Sequence, residues 1–289
     1  GGTTILTGAN TPTPSFTPNV PGTYIVTLTA TNTTGSTNQD TVHITAVGLP
    51  LANAGLDQTV SVNTPVSLDG LGSTNAASFD WAMTSSPLGG TIVLSGANTS
   101  TPGFTPNVAG TYIVTLKATN SAGSTHQDTV SITAIALPVA NAGPDQTVSV
   151  NTPVNLNGTG STNAASFNWS ITASPPGGTN ALTDANTSAP GFTPNIAGTY
   201  TVTLTATNAT GSAHQDTVSI SAIPLPVANA GTDQTVSVNT LVNLSGTGST
   251  NTTSYAWIVT TPPPGGTTTL TNDDTATPSF TPNVAGTYI

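Results

Sequence analysis

The 289-residue sequence contains no cysteine and almost no positive charge. Without cysteine, disulfides, thiol chemistry and cysteine-ligated metals are excluded. Arginine and glutamate are absent, and 1 lysine stands against 11 aspartates, so the formal net charge is −10. Such a chain lacks the cations that neutralise phosphates or anionic lipid headgroups. Nucleic acid and a polybasic membrane contact are therefore excluded as partners.

Charged residues, aromatic residues and long apolar runs are also scarce. Charged residues make up 4% of the chain and aromatic residues 5%, whereas an average soluble protein has about 25% charged residues. No run of about 18 apolar residues occurs, so no transmembrane segment is predicted within this sequence. The surface must be built from neutral polar side chains instead.

What the sequence does contain is an internal repeat of 88 residues. The tryptophans and one set of tyrosines recur at this interval with no insertion or deletion: Trp81, Trp169 and Trp257, and Tyr24, Tyr112, Tyr200 and Tyr288. A unit of this length is too long for one turn of a solenoid and suits a small β-sandwich domain.

The repeat divides the chain into two complete units and two partial ones. We predict complete β-sandwich repeats over residues 49–136 and 137–224. Residues 1–48 match the C-terminal part of a repeat, and residues 225–289 match the N-terminal part. We therefore expect that Gly1 is not the natural N-terminus and that the sequence is a slice of a longer array.

The junctions between units are short. Each passes through a Leu-Pro pair, at 49–50, 137–138 and 225–226, without a Gly/Ser linker. Because proline restricts the backbone, these junctions predict a semi-rigid rod.

Alternating side chains predict strands throughout each unit. In residues 198–208, Tyr200, Val202, Leu204 and Ala206 alternate with threonines. A period of two with β-branched residues is typical of a half-buried strand. Shorter runs of the same kind occur at 146–150, 153–158, 166–172 and 214–223. About seven short strands per unit, separated by turn residues, predict an all-β protein of tandem immunoglobulin-like antiparallel sandwiches.

Two aromatic residues in each complete unit fit the immunoglobulin-like plan. Trp169 lies on the third predicted strand, where such folds bury a tryptophan, and Tyr200 opens the penultimate strand, where a tyrosine corner would bond back to the backbone. The alternative is that both are simply large core side chains. The disulfide that usually lies beside that tryptophan is missing, so aliphatic residues must fill its place.

Several segments together resemble the polycystic kidney disease (PKD) family. They are PVANAGPDQTVSV at 138–150, NLNGTGS at 155–161, PPGG at 175–178, FTPNIAGTYTVTLTATN at 192–208 and DTVSI at 216–220. The resemblance implies an extracellular or cell-surface protein. It also implies immunoglobulin-like sandwiches that act as spacers or make protein and carbohydrate contacts.

One loop departs from the pattern of that family. Members often carry an acidic loop before the tryptophan strand, whereas this chain has STNAAS at 73–78 and 161–166 and STNTTS at 249–254. The missing carboxylates put metal binding in this loop in doubt.

The densest polar clusters are the His-Gln-Asp trios at 126–128 and 214–216. Acid–base catalysis needs carboxylates or histidines gathered in a shaped pocket. In the first unit Asn38 stands in place of the histidine. We therefore interpret the trios as exposed strand starts, and we predict no catalytic residue, no bound cofactor and no enzymatic activity.

Aspartates recur at two further places. Asp57 and Asp145 begin the first strand of a unit, as Asp233 does in the last one, while Asp128 and Asp216 begin the last strand. In an immunoglobulin-like sandwich these strands are parallel neighbours, so the pairs could lie together near the repeat junctions as calcium ligands. Calcium takes about six to eight oxygen ligands, however, so two carboxylates make a thin site. Capping of backbone N–H groups is the favoured alternative.

The favoured functional hypothesis is the structural rod of an extracellular filament, stalk or surface layer, with self-association of the chain. The alternative is a spacer array in an adhesin or secreted enzyme whose active head lies elsewhere. The threonine rows fit solvent-facing strands, lateral packing into fibres, or binding to ice or carbohydrate. Asn-x-Ser/Thr sequons occur no more often than the composition predicts, so attached glycans are permitted rather than indicated.

Overall fold

The computed structural model describes residues 5–289, and every regular element in that range is a β-strand. No helix in the described range is long and apolar enough to cross a bilayer. The strands are β1 Gly22–Thr31, β2 Thr37–Ala46, β3 Gln58–Ser61, β4 Val66–Ser67, β5 Ser78–Ser85, β6 Gly103–Phe104, β7 Gly110–Thr119, β8 Thr125–Ile135, β9 Gln146–Ser149, β10 Val154–Asn155, β11 Ser166–Ala173, β12 Gly191–Phe192, β13 Gly198–Thr207, β14 Ala213–Ile223, β15 Val242–Asn243 and β16 Ser279–Phe280.

The predicted repeat 49–136 folds into two sheets. One sheet has the order β3-β8-β7-β5, and the other pairs β4 with β6. β7 and β8 form an antiparallel hairpin, while β3 pairs with β8 in parallel, with Gln58 opposite Ile132. The expectation that the first and last strands run side by side in the same direction is confirmed.

The core of this repeat follows from strict alternation in the β7–β8 hairpin. From Tyr112 to Ala118 in β7 and from Val130 to Ala134 in β8, every second residue faces the smaller sheet and is at most 3% exposed: Tyr112, Val114, Leu116, Ala118, Val130, Ile132 and Ala134. Val66, Leu68 and Phe104 close the opposite side, and Trp81 fills the space between them. Since successive strand side chains point to opposite faces, the intervening threonines lie on the other face.

The predicted repeat 137–224 has the same arrangement. Its larger sheet has the order β11-β13-β14-β9, and its smaller sheet pairs β10 with β12. β9 again runs parallel to β14, with Gln146 opposite Ile220.

The two partial units contain fewer paired strands. In residues 5–48, β1 and β2 form an antiparallel hairpin whose register runs from Gly22–Ala46 to Thr31–Thr37. In residues 225–289, β15 pairs with β16, and Val227 bridges Thr250. Side chains that are buried in the complete repeats are more exposed here; Leu28, at the position of Leu116, is 65% exposed.

The chain forms two compact units that do not follow the repeat boundaries. Among the described residues, the first contains 5–139, 162–166 and 206–214, and the second contains 140–161, 167–205 and 215–289. The boundaries at 48/49, 136/137 and 224/225 therefore stay a prediction.

Most of the predicted strands are present, but the run at 153–158 is shorter than expected. Only Val154–Asn155 is paired as a strand. Beyond Asn155, the amides of Leu156 and Gly158 still donate to the carbonyls of Pro190 and Ser188, at 2.8 and 2.7 Å. Pro190 has no amide hydrogen to return a bond, so the ladder is incomplete there, and alternation within 153–158 cannot reveal this.

Candidate functional site: the repeated hydrogen-bond framework

The tryptophan of each repeat is fixed at both its backbone and its indole. In the second complete repeat, Trp169 is 2% exposed, and its Nε1–H donates to the carbonyl of Thr187 at 3.1 Å. The amide of Trp169 donates to the carbonyl of Ala185 at 2.9 Å. Trp81 and Trp257 repeat the indole bond, at 3.0 Å to Thr99 and Thr275. The tryptophan thus bridges its strand and the loop that follows.

A glycine lies directly against each indole ring. A Cβ atom built on Gly158 would lie 2.9 Å from Cζ2 of Trp169 and 3.3 Å from the carbonyl oxygen of Ser188. Gly70 and Gly246 are equally close to the rings of Trp81 and Trp257. The position requires glycine because the ring occupies the space of any side chain.

The tyrosines form the corner that the sequence predicted. Tyr200 is fully buried, and its hydroxyl donates to the carbonyl of Ile196 at 3.0 Å while accepting from the Ile196 amide at 3.3 Å. Phe192 packs against it with ring centroids 5.5 Å apart. Tyr112 makes the same pair of bonds with Val108.

The tyrosines and the tryptophan of the partial units keep these bonds but are less buried. The hydroxyl of Tyr24 donates to the Val20 carbonyl at 2.8 Å, and that of Tyr288 donates to the Val284 carbonyl at 3.1 Å. Tyr24, Tyr288 and Trp257 are half-buried. The local geometry therefore forms without a complete sandwich around it.

The paired aspartates act as hydrogen-bond acceptors between the first and last strands. In the first complete repeat, Asp57 Oδ1 accepts from the amide of Ser131 and Asp128 Oδ2 accepts from the amide of Ala54, both at 2.8 Å. Each carboxylate thus binds the backbone of the segment that carries the other.

The second complete repeat has the same reciprocal pair of aspartate–amide bonds, which we call the staple. Asp145 Oδ1 accepts from Ser219 and Asp216 Oδ2 accepts from Ala142, again at 2.8 Å. In each pair, the aspartate of the last strand is half-buried and its partner is exposed. Within the described residues, no group of three or more His, Asp, Glu or Cys side chains gathers at a common point. The calcium pairs stay a prediction, and the geometry supports backbone binding.

The histidine of the first trio belongs to the same staple. Nδ1 of His126 accepts from the amide of Ala52 at 3.1 Å, two residues before the amide bound by Asp128. In the segment before β3, backbone amides therefore donate to side chains of β8, where a regular ladder would have them donate to backbone carbonyls. This arrangement binds the amides as a strand partner does and gives the histidine a structural task.

The loop that lacks the acidic residues of the family anchors the junction instead. Nδ2 of Asn163 donates to the carbonyl of Leu137 at 3.0 Å, and Asn75 and Asn251 bind Leu49 and Leu225 in the same way. All three asparagines adopt a left-handed backbone with φ of 55° or 56°. Asparagine tolerates this conformation better than most residues. The three Ser-Thr-Asn sequences are the signal that could have predicted this anchor.

A family model for the K319L-like PKD domain matches the chain twice, at residues 54–134 and 142–221. The chain belongs to the K319L-like PKD domain family. Each match lies inside one predicted complete repeat, so the chain is a tandem array of PKD domains. The expected resemblance, the all-β immunoglobulin-like fold and the tandem repeat are confirmed.

One curated relative is the mouse (Mus musculus) dyslexia-associated protein KIAA0319-like protein. It is 32% identical to this PKD array over 206 residues, which cover 64% of this chain and 19% of the relative. The chain therefore spans about a fifth of the length of that relative.

Similar solved structures contain PKD or immunoglobulin domains. The PKD domain from KIAA 1837 protein is 27% identical and covers 32% of this chain and 92% of its own, with a TM-score of 0.28. Sidekick-1 immunoglobulin domains 1–5 are 13% identical and cover 78% of this chain and 52% of their own, with a TM-score of 0.38. The assignment of the fold rests on the strand order and the family match.

PKD and immunoglobulin-like domains are typically non-catalytic modules of the adhesion type. Membership in this family agrees with the extracellular or cell-surface localisation that the sequence predicts. The described side chains fit such a module, because the histidine and aspartates of the first complete repeat bind backbone amides within it.

Proposed function

We propose that this PKD array is a structural rod of an extracellular filament, stalk or surface layer. The observation that carries the proposal is the recurrence of one hydrogen-bond framework every 88 residues. The indole bonds of Trp81, Trp169 and Trp257 are the plainest instance. Selection for one binding site would let the other units diverge, whereas a load-bearing array needs the same unit many times.

The chemistry of the surface supports association between neutral faces. The chain has a net charge of −10 and 1 cation, so ion pairs cannot form a repeating interface. Hydroxyl and amide groups on the outer faces of the hairpins, together with exposed strand edges, supply the contacts in this proposal. Partners of this kind are other copies of the array.

The second candidate is a spacer that holds a binding or catalytic head. The length of the mouse relative favours it, since the matched region is 19% of that protein. In this version the PKD domains set the distance of the head from the cell, and the threonine and asparagine surface carries glycans or contacts carbohydrate. The array itself is not an enzyme in either version.

Electron microscopy of material from the native source separates the two. The rod hypothesis predicts ordered fibres whose axial period is a whole number of PKD domains. Isolated flexible strands that end in a globular head would contradict it and support the spacer. The full-length sequence is an independent control, because a terminal domain outside the repeat belongs only to the second candidate.

A further inference from the structure

A cluster of neutral polar side chains around Ser61 joins parts of the sequence that are 147 to 151 residues apart. Ser61 ends β3 and is 3% exposed. Its Oγ lies 2.9 Å from Nδ2 of Asn208, 2.5 Å from Oγ1 of Thr210 and 2.7 Å from Oγ of Ser212. These three residues belong to the turn 208–212 between β13 and β14.

The bond directions in this cluster follow from counting hydrogens. The hydroxyl of Thr210 donates to Oδ1 of Asn208 at 2.9 Å, so it must accept from the hydroxyl of Ser61. Ser61 then accepts from Asn208 Nδ2 and from the hydroxyl of Ser212. A serine hydroxyl has one donor and two acceptor sites, so every site of Ser61 is used.

Asn208 is the centre of the turn and is equally saturated. It is 4% exposed, and its Oδ1 also accepts from the amides of Thr210 at 3.1 Å and Ser212 at 2.9 Å. The second hydrogen of Nδ2 goes to the carbonyl of Ala136 at 3.0 Å. Removing any one member therefore leaves a buried polar group without its partner, which costs more than the bond itself contributed.

Comparison with the matching turns of the other repeats shows which bonds of turn 208–212 form locally, without Ser61. Turn 32–36 also has a threonine, and Thr34 Oγ1 donates to Asn32 Oδ1 at 2.7 Å, but this turn is exposed. Turn 120–124 carries Ala122 at the threonine position and keeps its amide bonds to Asn120. The turn itself therefore forms without the threonine and without a facing serine.

The compact units of the structure reflect the same contact. Residues 206–214 belong by sequence to the predicted repeat 137–224, yet they group with residues 5–139. Ser61 and the whole turn 208–212 thus lie in one compact unit.

We infer that Ser61 is a docking site for the Asn-x-Thr-Gly-Ser turn of the following PKD domain, and that this contact couples the stability of neighbouring domains. The repeat 49–136 supplies Ser61 and the carbonyl of Ala136, and the repeat 137–224 supplies the turn. In tandem repeats, nearest-neighbour interfaces add to the stability of each unit. The inference goes beyond the proposed function, because it applies equally to a filament and to a spacer.

A double-mutant cycle in the intact chain tests the coupling. Ser61→Ala should raise hydrogen exchange at the amide of Ser212 about fivefold, which corresponds to about 1 kcal/mol for one net hydrogen bond. Thr210→Ala should also raise it, and Ala122 indicates that alanine fits this turn. The double variant should exchange more slowly than the product of the two single effects predicts, since both remove one shared interaction.

Thr34→Ala is the matched control. It removes the same bond inside a turn, but from a turn that faces no serine, so exchange in 208–212 should stay as in the parent chain. Multiplicative effects of Ser61→Ala and Thr210→Ala would overturn the inference. Unchanged exchange at Ser212 in Ser61→Ala would overturn it as well. Neither result depends on whether the native material forms filaments.

Discussion

At the residue scale, this protein is stabilised by hydrogen bonds between side chains and backbone rather than by ion pairs. In the described part of the chain, no buried side-chain nitrogen or oxygen lacks a hydrogen-bond partner. Only 4% of the residues are charged. Hydrogen bonds from tryptophan, tyrosine and asparagine side chains to backbone carbonyls therefore replace ion pairs as stabilising polar contacts. Each bond is modest, but leaving a buried partner unpaired is expensive.

Removing the tyrosine hydroxyl measures this cost. Tyr200→Phe should lower the free energy of unfolding of its repeat by about 1–3 kcal/mol, since it leaves the amide and carbonyl of Ile196 without their partner. Chemical denaturation followed by tryptophan fluorescence is the measurement. Tyr24→Phe is the control: it deletes the same bonds in the half-exposed corner of the first hairpin, where water replaces them, so its effect should be smaller. Equal losses would mean that burial does not set the cost.

At the element scale, the parallel pair formed by the first and last strands is extended by side chains. His126 and Asp128 bind the amides of Ala52 and Ala54, where a continuous strand partner would place carbonyls. Asp57 returns the contact to Ser131. A short strand is thereby held along a longer segment than its four ladder residues.

Truncating the staple tests this interpretation. Asp128→Ala leaves the amide of Ala54 unpaired, and Ala54 is 1% exposed, so we expect a loss of about 1–3 kcal/mol in the free energy of unfolding. Asp128→Asn keeps an oxygen acceptor and should lose less. The exposed Asp80 provides the control, since Asp80→Ala removes a carboxylate of equal charge and should change stability by less than about 0.5 kcal/mol.

The same variants decide the calcium hypothesis. If the carboxylates serve only as acceptors, adding calcium should not raise the melting temperature of the parent chain. A rise that Asp128→Asn abolishes would instead support calcium ligation by the pair Asp57 and Asp128.

The loss of stability on truncating a core leucine should depend on how deeply its hairpin is buried. Leu116→Ala should lower the free energy of unfolding by about 2–5 kcal/mol, because the surrounding sheet cannot collapse into the cavity. Leu28→Ala makes the same change at the matching position of the first hairpin, where the side chain is 65% exposed. We expect this variant to lose less than about 1 kcal/mol. A comparable loss from both would indicate that Leu28 is covered in solution, for example by a second copy of the chain.

At the scale of the whole molecule, assembly should be nearly insensitive to salt. A neutral interface is insensitive to screening, so assemblies from the native source should persist in about 1 M NaCl, where the Debye length is about 3 Å. Light scattering or electron microscopy before and after transfer is the measurement, with a calcium chelator as the parallel arm. Dissolution in salt would contradict the neutral interface, and dissolution in chelator alone would favour calcium at the junctions.

Local sequence pattern predicts several features of this protein without any knowledge of its fold. The period of two in residues 198–207 predicted β13 because alternating apolar residues suit a half-buried strand. The interval of 88 residues predicted the tandem array, and the positions of Trp169 and Tyr200 predicted an immunoglobulin-like sandwich.

Contacts between groups that are distant in the sequence depend on the three-dimensional fold. Asp128 binds an amide that is 74 residues away, and Ser61 binds a turn about twice as far along the chain. Such contacts leave no local period, because they depend on strand register and on how the chain returns across the sheet. Sequence analysis therefore placed these aspartates on neighbouring strands and favoured backbone capping over metal ligation, but it could not say which amides they bind. It gave no sign that a serine at the end of β3 receives a turn from the next repeat.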